Sequence, residues 1–305
     1  MADSTADKTG QRKSPGKTMN PLFASISPHI RSGNTVKRVM MDVIIALMPV
    51  VVAGVLFFGK NSILVVSTGV IFCCLTEIVF EKLAKRKNTA GDLSAVVTGI
   101  IFSLTLPSST PLWIVACGST FGILMGKQLF GGIGHNPFNP ALIAMAFVQI
   151  SWSKQTSVIS ESTMDAVPSY FNMFIGNMPG TIGEVSKVAI ILGAAYLIFR
   201  RQIVIHIPLS LVLTVVFLSL ITGNNPLFQI LTGGVLLGAV FMATDPVTTP
   251  ISPAGKIIFG AGCGAITFLI RMKGAFPEGI YYSILIMNMF TPLIDRVTRI
   301  KRFGV

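Results

Sequence analysis

The chain has 305 residues, of which 51% are hydrophobic and only 12% are charged, and its mean hydropathy is +0.73. These values exclude an ordinary soluble globular domain, in which about 25% of residues are charged. The net charge of +12 arises from Lys and Arg residues placed between apolar runs. No basic domain with interleaved aromatic residues is visible in the sequence, so nucleic-acid binding is excluded as well.

Ten apolar runs follow a polar N-terminal segment. They occupy residues 39–58, 63–80, 93–106, 112–130, 141–150, 185–199, 203–221, 227–243, 257–270 and 280–294. A hydrocarbon core of about 30 Å requires about 20 apolar residues in a spanning helix. The sequence therefore predicts an all-α polytopic membrane protein with about ten transmembrane helices.

The longest interruption between the runs divides the chain into parts. Residues 151–184 contain many hydroxyl side chains, glycines and prolines, which do not continue a membrane helix. The sequence predicts a disordered cytoplasmic tail over 1–20 and a first membrane half over 21–150. It also predicts a loop over 151–184 and a second membrane half over 185–305, with about five helices in each half.

The distribution of basic residues predicts the orientation of these parts. With the N-terminus in the cytoplasm, 19 of the 24 Lys and Arg residues fall on the cytoplasmic side. Cytoplasmic connections of membrane proteins carry this excess. We expect a multi-pass protein of the inner (plasma) membrane, with both termini cytoplasmic and the loop 151–184 outside.

A weak internal repeat relates residues 111–140 to residues 226–250. Each copy has an apolar run that descends to the cytoplasm and a Pro-rich break, and we interpret the repeat as parallel, with broken helices. Interrupted helices at corresponding positions often mark a binding site in transporters, although ordinary helix-ending loops give the same pattern. A small-solute channel or secondary transporter is therefore one possible function.

Few polar side chains lie near the apolar runs. Asn136 belongs to a Gly- and Pro-rich segment, 131–140, that offers hydrogen-bond donors for a polar ligand or a partner's loop. Glu77, Asp92 and Asp245 lie near run ends, where an ionised carboxylate needs a partner. Each can belong to an ion path, pair with a nearby Lys or Arg, or cap a helix.

Two kinds of chemistry find little support. The four cysteines lie within apolar runs and lack the spacing of metal ligands, so we expect no metal site. Ser160 and Thr163 in the loop have no neighbouring base except Lys154, so a hydrolase would lack its second catalytic group.

Four separated motifs resemble those of a known family. They are Gly134-His135-Asn136-Pro137-Phe138-Asn139-Pro140-Ala141, the stretch from Ile175 to Glu184, Ala243-Thr244-Asp245-Pro246-Val247-Thr248, and the segment from Met287 to Asp295. Together they resemble the RnfD family of Rnf-complex membrane proteins, which is related to the NqrB component of the sodium-translocating NADH:quinone oxidoreductase. The resemblance extends over residues 21–302.

The resemblance implies a ten-helix flavoprotein that carries electrons within a larger complex, rather than a substrate-binding component. Such a complex transfers electrons between ferredoxin and NAD and moves sodium ions or protons, so the expected partners are the other complex subunits. In this family an outer threonine, in a Ser-x-x-Thr motif, holds FMN through a phosphoester bond. The best match is Ser160 to Thr163, although Met164-Asp165 replaces the usual Pro-Leu; Thr156 is the second choice.

Other residues acquire expected roles through the same resemblance. Asn172, Asn177, Thr181 and Glu184 follow in the loop and are candidates for flanking the flavin ring. A second, noncovalent flavin, riboflavin, is expected in the membrane part. Its candidate contacts are the Pro-rich breaks at 134–140 and 244–250, which include Asn136 and Asp245.

Overall fold

The computed structural model describes residues 35–85, 90–156, 170–176, 180–273 and 278–299, and it contains helices and turns but no β-strand within these ranges. The expectations for the tail 1–20, and for Ser160, Thr163 and Asn177, fall outside them. The all-α prediction is confirmed for the described chain.

The first half contains five main helices. The short helix α6 lies at its end. The helices are α1 Val36–Phe58, α2 Lys60–Leu83, α3 Ser94–Leu104, α4 Leu112–Ile123, α5 Pro140–Ser151 and α6 Ser153–Thr156. A 3₁₀ turn, Ala90–Asp92, precedes α3, and a π-helical turn, Leu124–Gln128, extends α4. Gly59 alone joins α1 to α2, and its φ of 69° is a conformation that glycine adopts without a steric cost.

The second half repeats this arrangement with one broken helix. The short helix α7 precedes it. The helices are α7 Tyr170–Ile175, α8 Lys187–Phe199, α9 His206–Ile221, α10 Pro226–Leu231, α11 Val235–Leu237, α12 Pro253–Lys273 and α13 Gly279–Val297. A π-helical turn, Gly238–Met242, extends α11. The apolar run 227–243, predicted as one continuous helix that ends at the Pro-rich break 244–250, is therefore interrupted at residues 232–234.

The prediction of ten transmembrane helices is not confirmed. Each apolar run contains helix, but within the described residues only α1, α2 and α12 are long and apolar enough to cross a bilayer. The helix α3 has 11 residues and is about 17 Å long at 1.5 Å per residue. In a bundle as thick as a membrane, a helix of this length ends in the interior. Its terminal backbone N–H and C=O groups need hydrogen-bond partners there.

The helices define two ends of the bundle. At the Asp42 end, Asp42 at the start of α1 meets Arg200, which follows α8. At the Glu184 end, Glu184 meets Tyr281 near the start of α13. An added Cβ on Gly54, late in α1, would lie 2.5 Å from the Ile182 side chain, before α8. The helices α1 and α8 therefore run antiparallel.

The internal repeat is better described as antiparallel than as parallel. Residues 111–140 and 226–250 do run toward the same end, and each includes a π-helical turn, but the first holds one continuous helix and the second a broken one. A closer match pairs 99–111 with 238–250, identical at six of 13 positions. These two segments run in opposite directions, since α3 starts at the Asp42 end and α11 starts at the Glu184 end. The parallel interpretation applies to 111–140 and 226–250, whereas the closer sequence match, 99–111 with 238–250, is inverted.

Candidate functional site

The cavity at the Asp42 end lies between the two repeats. It has a volume of about 90 Å³, and both Pro-rich breaks border it through Asn136 and Asp245. Its other polar side chains come from α3, the π-helical turn after α4 and three connections: Ser94, Thr98, Lys127, Asn139, Gln202 and Thr244. Two residues that the sequence analysis selected from separate motifs therefore share one site.

Local hydrogen bonds hold these two residues in place. The side-chain amide of Asn136 donates to the carbonyl oxygen of Phe138 at 3.0 Å. The Asp245 carboxylate accepts from the backbone of Val247 and the hydroxyl of Thr248, both at 3.3 Å. Desolvation raises the pKa of the Asp245 carboxyl, and these two hydrogen bonds partly offset the effect. Asp245 therefore stabilises its own turn by hydrogen bonds and also lines the cavity.

A buried ion pair forms one wall of the cavity. Lys127, only 2% exposed, donates to Glu77 on α2, which is fully buried, and to the Ser94 hydroxyl at the start of α3. Asp92 in turn accepts from the Ser94 backbone at 2.8 Å. Lys127 lies in a π-helical turn, a feature that is frequent at functional sites. Glu77 is thus paired with Lys127, and Asp92 caps the start of α3. Both are roles that the sequence left open for these acids.

The cavity is too small for a flavin in this conformation. Pockets for ligands of that size have volumes of about 300–1,000 Å³. A neighbouring cavity of about 240 Å³ shares Gln202, Ile203, Thr244 and Pro246 with it. Riboflavin does not fit the 90 Å³ cavity as described, which has room for a few water molecules.

Thr156, the second choice for the covalent flavin, is fully buried. Its hydroxyl donates to the Trp152 carbonyl oxygen at 2.9 Å. Trp152 packs edge-on against Trp113, with ring centroids 5.2 Å apart. The Thr156 hydroxyl is therefore buried and already hydrogen-bonded. A phosphoester at this position would require the two tryptophan rings to move apart.

The segment from Thr181 to Ser186 is a buried connection at the Glu184 end. The backbone amides of Ile182 and Gly183 donate to the carbonyl oxygens of Leu106 and Leu104, at 3.0 and 2.8 Å. These bonds satisfy carbonyl groups at the end of α3 that have no partner within the helix. Asn172, in contrast, is exposed on α7. The residues expected to flank a flavin thus differ in their environments, and Thr181 and Glu184 lie inside the bundle.

Glu184 belongs to a cluster of buried ionisable groups. Its carboxylate accepts from the Tyr281 hydroxyl at 3.0 Å. Lys187 donates to its backbone carbonyl oxygen. Glu278, 4% exposed, lies three residues before Tyr281. Arg271 at the end of α12 donates to the carbonyl oxygens of Gln229, Thr232 and Gly233 at 2.6–2.9 Å, where α10 ends.

Sequence reasoning missed several of these residues. Asp42 accepts from Tyr196, Arg200 and Gln202, and its position inside an apolar run was the signal that could have identified it. Glu278, Tyr281 and Arg271 come together only through the packing of α12 and α13, which no local pattern reveals.

The fold and the two sites define a class: a helical membrane protein with an inverted repeat, half-length helices and ionisable groups buried near both ends. Comparison with known sequences narrows the class. The profile of the NQR2, RnfD, RnfE family matches residues 23–304, and the chain belongs to this family.

Named relatives cover nearly the whole chain. The chain is 40% identical to the D subunit of the Na(+)-translocating ferredoxin:NAD(+) oxidoreductase complex of Acetobacterium woodii, over 93% of this chain and 96% of that protein. It is 39% identical to the D subunit of the proton-translocating counterpart from Clostridium ljungdahlii, over 93% and 97%. The D subunit of an ion-translocating oxidoreductase complex from Methanosarcina acetivorans is 31% identical, over 94% and 98%.

Proposed function

We propose that this chain is the RnfD component of an ion-translocating ferredoxin:NAD oxidoreductase complex and that it carries electrons through FMN esterified to Thr163. The observation that carries the proposal is the near-complete alignment, at 40% and 39% identity, with the corresponding components of two such complexes. The other subunits of such a complex are its expected partners. FMN, when bound, supplies the electron-accepting chemistry, and the protein supplies the position.

The described residues on both sides of the loop support a site at the Glu184 end. On one side the described chain stops at Thr156, beside Trp152 and Trp113. On the other side it resumes at Tyr170, whose hydroxyl accepts a hydrogen bond from Asn225, the N-cap of α10. Both points lie at the end of the bundle that the basic residues predict to be outside. The two described points that flank Thr163 in the sequence therefore lie at the Glu184 end.

The transported ion is either sodium or a proton. The relatives named for sodium and for proton translocation are 40% and 39% identical to this chain, so similarity does not separate the two. Buried carboxylates at both ends suit either ion, because a carboxylate in a medium of low dielectric constant favours binding of a compensating cation.

The first experiment is in-gel flavin fluorescence of the denatured chain, expressed with its complex in a host that contains a flavin transferase. We expect a fluorescent wild-type band that disappears in Thr163→Ala and persists in Thr156→Ala, because Thr156 is buried and engaged. A band that disappears only in Thr156→Ala would move the site. A non-fluorescent wild-type band would overturn the flavin assignment and favour a channel or transporter.

A further inference from the structure

The cluster at the Glu184 end brings two carboxyl groups together from distant parts of the chain. Glu184 precedes α8 and Glu278 precedes α13, and they are 7% and 4% exposed. The Tyr281 hydroxyl lies against Glu184, and Tyr281 follows Glu278 by three residues, so both lie on the same face of the first turn of α13. The two acids therefore share one buried pocket of the bundle.

The backbone of Gly234 closes this pocket. A Cβ added at Gly234 would lie 2.5 Å from the Tyr281 hydroxyl oxygen and 2.6 Å from Oε1 of Glu184. Its φ of 68° is also one that side-chain-bearing residues rarely adopt. Glycine at this point allows the start of α11 to approach the two polar groups directly.

The two carboxyl groups have unequal environments. Glu184 accepts a hydrogen bond from the Tyr281 hydroxyl at 3.0 Å. Glu278 has one carboxyl oxygen, Oε2, that is buried without a hydrogen-bond partner among the described residues. The hydroxyl of Thr181, the residue three before Glu184, is also buried and faces the Tyr281 hydroxyl. In such a pair, the acid with the less compensated burial is the one favoured to hold a proton.

Several charged or titratable groups face this pair. They are Lys187 at the start of α8, Arg271 at the end of α12, and Tyr281 and Tyr282 on α13. Burial raises the pKa of Glu278 well above its ordinary value; the charge of Glu184 raises it further, and Arg271 opposes both effects. A raised pKa means that Glu278 remains protonated as pH rises past the ordinary value of about 4.3 and ionises only at higher pH.

We propose that Glu278 and Glu184 form a binding site for one exchangeable proton, with Glu278 as the protonated member. On release, the carboxyl O–H bond of Glu278 breaks, the electron pair stays on the carboxylate, and a water molecule takes the proton. A proton suits the pocket better than a metal ion. The positive charges of Lys187 and Arg271 face the pocket and would repel a metal cation bound there. The link to ion translocation rests on the proposed function, but proton binding itself does not.

The test is pH-difference infrared spectroscopy of the intact purified complex, recorded in the C=O stretching region of protonated carboxyl groups. We expect a band that is present at neutral pH, disappears as pH rises, and shifts in D₂O. The band should be absent in Glu278→Gln and retained in Glu81→Gln, which removes a buried carboxyl on α2 at the opposite end. Tyr281→Phe removes the bond to Glu184 and should shift the titration midpoint.

Two results would overturn the proposal. One is a spectrum of Glu278→Gln that is identical to that of the wild type. The other is a band that responds to added sodium chloride at fixed pH rather than to pH, which would make the pair a sodium site. If Glu278→Gln fails to assemble, Glu278→Asp should shift the band, and an unshifted band counts equally against the proposal. In-gel fluorescence of the same wild-type sample tests the flavin separately, so the two ideas fail independently.

Discussion

Asp42 is a single residue that links the start of α1, in the first half, to the end of α8, in the second half. It lies in the first turns of α1, and its side chain is 5% exposed, whereas that of Arg200 is 35% exposed. Its oxygens accept from Arg200 and Tyr196 at 3.2 Å and from Gln202 at 2.7 Å. The acid is thus the shared acceptor for three donors from the end of α8 and the connection after it.

We predict that Asp42→Ala lowers the thermal unfolding midpoint of the purified complex more than Arg200→Ala does. Removal of Asp42 leaves the part-buried Tyr196 and Gln202 donors without their acceptor, and the cost of about 1–3 kcal/mol for a fully buried unsatisfied group is the upper bound for each. Removal of Arg200 leaves Asp42 with two donors and exposes little that was buried. Lys37→Ala, an exposed change on the same helix, is the control. An equal or larger effect of Arg200→Ala would contradict this account.

The sequence identified some single residues but not their neighbours. Asn136 and Asp245 were selected from two motifs, and the structure places both on one cavity. Glu184 was selected as a flavin neighbour, and its described partner is Tyr281. The proximity of residues 97 positions apart depends on how the start of α13 meets the connection before α8, and that contact leaves no periodic signal in the chain.

At the scale of elements, the crossing of α2 and α3 depends on glycine. A Cβ added at Gly99 would lie 2.7 Å from the Cα of Val70 and 2.9 Å from the carbonyl oxygen of Gly69. Both are backbone atoms, which move only with the whole helix. At Gly238, the counterpart in the second half, the closest atom is Cγ1 of Ile280, at 2.6 Å. That atom belongs to a side chain with rotational freedom.

Gly99→Ala should therefore be more damaging than Gly238→Ala. Overpacking at a backbone contact costs about 1–3 kcal/mol or more, whereas a side chain absorbs part of the strain by changing rotamer. We would measure the amount of assembled complex and its thermal unfolding midpoint. Gly91→Ala provides a reference, since an added Cβ there meets nothing within 4 Å. Equal losses for Gly99→Ala and Gly238→Ala would refute the distinction.

Hydropathy predicted where most helices lie along the chain, but it did not predict their lengths. The run 227–243 is continuous in apolar content, yet the helix stops at the end of α10, where Arg271 donates to the carbonyl groups of residues 229, 232 and 233. Gly233 and Gly234 both have positive φ there. Hydropathy does not distinguish a half-length helix with capped ends from a spanning one.

At the scale of the molecule, the two ends differ in the ionisable groups they bury, and their orientation remains a prediction from charge. In a cysteine-free background, we expect Thr222→Cys, exposed at the Glu184 end, to react with a membrane-impermeant maleimide added outside intact cells. Lys82→Cys, exposed at the end of α2, should react only after the membrane is permeabilised. Reversed labelling would invert the topology and place the loop 151–184 in the cytoplasm.

The antiparallel match between 99–111 and 238–250 gives the bundle two versions of one turn, directed to opposite faces. The sequences Thr105-Leu106-Pro107 and Thr244-Asp245-Pro246 occupy equivalent places, but the first meets backbone amides from the connection before α8 and the second faces a polar cavity. Within these two triplets only the central residue differs, leucine in the first and aspartate in the second. The same turn therefore serves as a hydrogen-bonded backbone joint at one end and presents a carboxylate to a cavity at the other.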